Sequence, residues 1–322
     1  WVKRILLLAW LPVVYWGVVF FLLGQTFEQP TRTGIEQIDS LSPELRRPIT
    51  DAINGLVPGM GQRGKALALM KFYFSRIPIA TELQHALING TDDEARNIIW
   101  SWLLMTFFRY PQGTLILFLV GSLAPALISQ DIRSRAFLLY FSRPIGRLEY
   151  IAGKLFIPSL FIVFITTLPA LVLYFFGIMM SPDFAVFWTT WGIPLKIVLA
   201  TLVLVLPTVS LALMFSSLTQ ESRFASFAWF AVWALGHGAW LSVVFSQSLK
   251  LGTEPFTRAV MDSEPVHRFS VLSLYNNLGQ VQSWIFGFAT LDEIWPAAMT
   301  LILITVGSMV ILFRRVSAPI RA

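Results

Sequence analysis

The chain has 322 residues, of which 56% are hydrophobic and only 13% charged, and its mean hydropathy is +0.68. A soluble domain of that length needs a polar surface that this composition does not supply, so soluble, disordered and nucleic-acid-binding classes are excluded. The net charge of +6 is then a topological bias of a membrane chain. The absence of cysteine removes disulfides, thiolate metal sites and a cysteine nucleophile.

About 20 apolar residues cross roughly 30 Å of hydrocarbon as a helix. Seven runs of that order lack Asp, Glu, Lys and Arg: 5–27, 110–130, 155–182, 197–220, 224–249, 269–291 and 294–313. Six are continuously apolar. The run 269–291 carries Asn276, Asn277, Gln280 and Gln282, and bare amides are costly in lipid. The expectation is therefore a single transmembrane domain over 1–322 with six spans, at about 5–24, 112–129, 155–178, 195–216, 224–246 and 295–313.

In chain order, the first span reads as an uncleaved anchor. The segment 25–109 reads as an external helical insertion. Within it Ser42-Pro43-Glu44 resembles a helix start, and 65–76 a basic, aromatic helix. Thr91 to Glu94 fits a capping box opening a helix over 92–108. That helix is expected to lie on or dip into the outer membrane face, with a long kinked second span as the alternative. The segment 247–293 reads as external, its stretch 269–291 as a pair of short re-entrant helices, and Thr290 to Glu293 as a capping box for the last span. Pro12, Pro125, Pro169 and Pro207 lie inside spans, as ordinary membrane-helix composition or as hinges.

With six spans, one side collects eleven basic residues against three acids: Lys3, Arg4, Arg133, Arg135, Arg143, Arg147, Lys154, Arg223, Arg314, Arg315 and Arg321 against Asp131, Glu149 and Glu221. The positive-inside rule puts that side, and both termini, in the cytoplasm of a cell inner (plasma) membrane protein.

Residues 129–154 hold the most specific pattern. Ser129 is positioned to cap, with Asp131 in the first turn of a helix. The apolar stretch 136–141 suits an interfacial helix, and Arg143-Pro144 ends it. A second short helix runs from Arg147 to Gly153, with Lys154 at the membrane boundary. Taken alone, this is a basic inner loop. The order Asp131, Arg133-Ser134-Arg135, Phe137 to Phe141, Arg143-Pro144, Arg147 and Gly153-Lys154 resembles the loop between the second and third spans of ABC-2 type transporter permeases. The six-span layout extends the resemblance loosely over the chain.

The resemblance implies an ABC-2, type V exporter-like transmembrane domain. It implies pairing with a second permease copy or homologue, and association with cytoplasmic ABC ATPase subunits that bind the ATP and Mg. The 129–154 segment would be the coupling helix docked in the ATPase. Residues Asp131, Arg133, Arg135, Arg143, Pro144, Arg147, Gly153 and Lys154 would carry that contact, with the turn holding Gln220, Glu221 and Arg223 as a second one. The segment before the last span would form re-entrant helices.

Other motifs lead nowhere chemical. Gly59 to Ala66 nearly spells a phosphate loop, but Ala66 stands where Ser or Thr would hold magnesium. His85, His237 and His267 are far apart, and no catalytic, cofactor or metal constellation is expected. His237, mid-span between Gly236 and Gly238, is either a helix contact or a pathway-lining group. The expected function is the permease subunit of an exporter of a hydrophobic or amphipathic substrate, itself not an enzyme. Membrane lipid surrounds it, and no nucleic-acid partner is expected. The competing readings are a secondary carrier or channel, and a membrane-embedded enzyme acting on lipid.

Overall fold

A computed structural model describes residues 10–18, 92–109, 113–136, 146–180, 184 and 186–317. Among them the secondary structure is helical, with no strand. In chain order the helices are α1 (10–18), α2 (Asp92–Phe107), α3 (Gly113–Arg133), α4 (Arg147–Ile165), α5 (Thr167–Met180) and α6 (Val186–Thr190). They continue with α7 (Gly192–Leu218), α8 (Ser222–Leu251), α9 (Arg258–Met261), α10 (Glu264–Ser270), α11 (Leu274–Phe286) and α12 (Leu291–Ser317).

Among the described residues, five helical stretches are long and apolar enough to cross a membrane: Gly113–Arg133, Arg147–Met179, Val186–Leu218, Ser222–Leu251 and Leu291–Val316. They coincide with five of the six expected spans. Of the first, only 10–18 is described, and it is helical. The segments 25–91 and 137–145, the glycine-rich turn, His85 and both Arg143 and Pro144 lie outside the described residues. The outward faces are apolar: Phe156 and Leu160 on α4, Phe227, Leu235 and Leu249 on α8, and Ile302, Leu303 and Val306 on α12 are all exposed. Such surfaces suit lipid and not water. The chain is an all-α polytopic membrane protein.

Prolines set where these helices bend, because each lacks the N–H that the carbonyl four residues back requires. Pro169 and Pro194 are each the third residue of a helix, α5 and α7. The breaks fall just ahead of them, at Thr166 and Trp191. The carbonyl that Pro194 leaves open, that of Thr190, accepts the Tyr174 hydroxyl at 3.2 Å. Pro125 lies inside α3 and leaves the Gly121 carbonyl open. Ser226 Oγ donates to it at 2.9 Å.

The described residues form two compact units. One comprises Trp10 with residues from 108–169 and 196–317; the other comprises residues from 11–107 and 170–195. In the first, α3 and α8 pack closely at Gly121. A Cβ there would meet Trp229 Cδ1 at 2.5 Å and the Phe230 ring at 2.6 Å. The Trp229 indole donates to the Leu117 carbonyl at 2.9 Å. Ser216 of α7 meets α3 just after Pro125. Its Oγ accepts the N–H groups of Ile128 at 3.1 Å and Ser129 at 3.0 Å, and donates to the Pro125 carbonyl.

In the second unit α2 buries Ile99, Trp100, Leu103, Leu104 and Phe107. The Trp100 ring meets Tyr174 edge-on at 6.0 Å, and Asn97 donates to the Thr189 carbonyl at 3.4 Å. The expected helix over 92–108 therefore forms, and it forms as a packed helix.

Several sequence expectations are corrected. Ser129 does not cap a new helix, because α3 winds through it to Arg133. Its hydroxyl donates back to the Pro125 carbonyl at 2.6 Å. Asp131 accordingly lies in the last turn of α3, not the first turn of a helix. The stretch from Arg147 to Gly153 is not a separate short helix but the beginning of α4. The run 269–291 holds one complete short helix, α11, preceded by α9 and α10. Its 13 residues span only about 20 Å, too short to cross. Ser273 Oγ accepts the Asn276 N–H to start it, and Gly287 ends it at φ 93°, a conformation that favours glycine. At Thr290 one half of the expected box is present, with Glu293 accepting the Thr290 N–H at 3.2 Å.

Candidate functional site

Two polar clusters lie at opposite ends of α3, within the first unit. The first gathers the C-terminal turn of α3, the start of α4 and the turn between α7 and α8. Asp131 Oδ2 is 2.6 Å from Lys154 Nζ and accepts the Tyr150 hydroxyl at 2.7 Å. Lys154 also donates to the Leu127 carbonyl at 2.7 Å. The two charged side chains are 13% and 17% exposed, so this is a mostly buried pair. A carboxylate in the last helical turn faces the negative end of the helix dipole, and the ammonium beside it offsets that cost.

Around this pair the remaining described candidates are exposed. Arg133 reaches Glu221 at 3.4 Å, an open pair worth little in stability. It nevertheless places the two sequence-distant candidate segments side by side. Arg135 closes α3 with φ 55°, and the Ala136 N–H returns to the Asp131 carbonyl at 3.0 Å. That is a helix stop at which glycine is the usual occupant. Arg147 and Arg223 are exposed, as is Gln220. Glu149 accepts the Gly146 N–H at 3.0 Å and so fixes the start of α4. A Cβ on Gly153 would meet nothing within 4 Å, so local packing does not require glycine there.

The second cluster surrounds His237, Tyr275 and Arg109. Gly236, not Gly238, permits the close approach to α8. A Cβ on Gly236 would overlap the Leu272 carbonyl oxygen, whereas one on Gly238 would meet nothing. His237 Nδ1 lies 3.2 Å from Ser273 Oγ, the residue that caps α11. Its ring contacts Trp240 and Tyr275 at 5.3 and 5.4 Å between centroids. The helix-contact reading of His237 thus has a specific partner.

The Arg109 guanidinium stands 4.9 Å over the Tyr275 ring, and the Tyr275 hydroxyl donates to the Arg109 carbonyl at 3.1 Å. A cavity of about 180 Å³ opens beside it. On the same unit Lys196 Nζ donates to the Phe286 carbonyl at 3.2 Å, at the C-terminal end of α11, where a cation is favoured.

Sequence reasoning passed over Arg109 and Lys196. Each directly borders a charge-free run, where a charge marks the edge of a span and suggests no further role. Ser216 gave no signal, since its role depends on a bend in another helix.

The cluster geometry defines no catalytic constellation. Among the described residues, no three His, Asp or Glu side chains converge as metal ligands. No family model, curated protein or solved structure matches the chain. The class is therefore carried by the fold: a multi-pass, helical, membrane-embedded protein with a basic face at one end.

Proposed function

We propose that the chain is the membrane-spanning subunit of an ATP-driven exporter of the ABC-2 type, with six spans and both termini in the cytoplasm. The observation that carries this reading is the juxtaposition of the 129–154 segment with the 218–223 turn. Arg133 and Glu221 bring them together, and the mostly buried pair Asp131–Lys154 ties the end of α3 to the start of α4. Exposed Arg135, Arg147 and Arg223 complete a basic surface. An acidic groove on a separate ATPase subunit would grip it through charge-assisted hydrogen bonds. The apolar outward faces suit a hydrophobic or amphipathic cargo that enters from lipid, passing between two permease copies.

The docking role is tested by charge reversal. Arg147→Glu and Arg223→Glu, together with Arg143→Glu, are expected to abolish co-purification of a stoichiometric ATPase from the native membrane. Membrane insertion and the elution profile should stay unchanged. Undiminished ATPase recovery with the triple variant overturns the docking surface.

A further inference from the structure

We infer that the cavity beside Arg109 is a binding site for an anionic group, a phosphate or carboxylate, such as an amphipathic ligand carries at its head. The inference stands apart from the exporter reading and holds for any membrane protein with this geometry.

Four observations converge on it. First, Arg109 lines the cavity and is only partly exposed. No carboxylate among the described residues pairs with it. A guanidinium withdrawn from water strongly favours an oxyanion partner, which its planar fork matches in two parallel bonds.

Second, the guanidinium is held in place. It is stacked on Tyr275, whose hydroxyl is fixed to the Arg109 backbone. It occupies space that only glycine leaves, since a Cβ on Gly279 would overlap Nη1. Stacking covers one face of the group and leaves its N–H edges available.

Third, Asn276 lines the same cavity and is 4% exposed. Among the described residues neither its amide nitrogen nor its amide oxygen has a hydrogen-bond partner. Buried amides in folded proteins are nearly always satisfied, so an unmet one at a cavity wall points to a partner from outside the chain. Gln280, also at the wall, is by contrast engaged through Nε2 with Ser270 Oγ at 3.1 Å.

Fourth, part of the remaining wall is apolar, as the first carbons below a head group require. Trp240 and Val266 line it, within a buried apolar cluster that also contains Val244 and Val260. No carboxylate lines it. At about 180 Å³ the cavity is smaller than the roughly 300–1,000 Å³ of drug-sized ligand pockets. It therefore takes a head group and not a whole lipid. Trp240 lies eighteen residues along α8 from Ser222, about 27 Å at 1.5 Å per residue. That places the cavity well away from the Asp131 end, toward the opposite side of the bundle.

The test uses the full chain in an uncharged detergent. Binding is titrated with three probes: dihexanoyl phosphatidylglycerol, dihexanoyl phosphatidylcholine and inorganic phosphate. The anionic lipid is expected to bind saturably and about tenfold or more tighter than the zwitterionic one. Arg109→Gln should lose that preference, and Arg109→Lys should retain part of it. Asn276→Asp should abolish it, because the new carboxylate becomes the internal counter-ion. This last variant gives the guanidinium a partner, so it keeps the test valid if Arg109→Gln fails to elute as a folded species.

Inorganic phosphate that displaces the lipid at comparable concentration supports the site and assigns a free anion. Phosphate that does not displace it supports the site and assigns a head group. Equal affinity for the two lipids in the parent chain overturns the inference, as does an undiminished preference in folded Asn276→Asp.

Discussion

Asp131 and Lys154 are the residues whose chemistry is most constrained. Each is mostly withdrawn from solvent, and each has a second polar partner, Tyr150 for the acid and the Leu127 carbonyl for the base. Removing one member leaves the other buried and uncompensated, which typically costs about 3–5 kcal/mol. Asp131→Asn and Lys154→Met should therefore each destabilise strongly, and the double variant should be far less damaged than the sum. A denaturation cycle in detergent checks this, and additive losses would mean the pair is not coupled. The two positions were readable as charges in a basic loop, but their pairing was not. It depends on α3 winding past Ser129, which a cap-like sequence at 129–131 argues against. A side chain's preference for a cap is weak compared with the continuation of an already formed helix.

At the scale of elements, glycine positions separate packing from coincidence. Gly121→Ala drives a methyl into Trp229 and Phe230. It should force α8 off α3 at a cost of about 1–3 kcal/mol. Gly153→Ala introduces a methyl into open space within α4, and should be neutral or stabilise by up to about 1 kcal/mol through helix propensity. Melting temperatures of the two variants in one detergent decide the matter; similar shifts would refute the α3–α8 contact. Five spans were legible because lipid excludes charge, so apolar runs mark them. Their ends were less legible. Helices keep winding through polar residues once the backbone is satisfied, which is how Asp131 and Arg133 came to lie within α3. Arg109 escaped notice for the related reason that a charge beside a span reads as punctuation, and only α11, folded back against it, reveals its setting.

For the whole molecule, the prediction concerns sidedness. The native chain lacks cysteine, so single cysteines report without a background. Ser134→Cys and Gln220→Cys, both at exposed positions, should react with an impermeant maleimide only from the cytoplasm. Glu254→Cys, exposed beyond the far end of α8, should react only from outside. Labelling of all three from one face would overturn the proposed topology.

The bend at Pro125 has a mechanical consequence. Its pins belong to neighbours: Ser216 of α7 meets two amides and a carbonyl, and Ser226 of α8 meets another carbonyl. Sliding α8 away would leave the Gly121 carbonyl, which Pro125 deprives of its helical donor, unmet in a nonpolar medium, where such a group is heavily penalised. The joint therefore behaves less like a spring than like a keyed shaft. A torque applied at the Arg133 end of α3 would be expected to turn α3, α7 and α8 together.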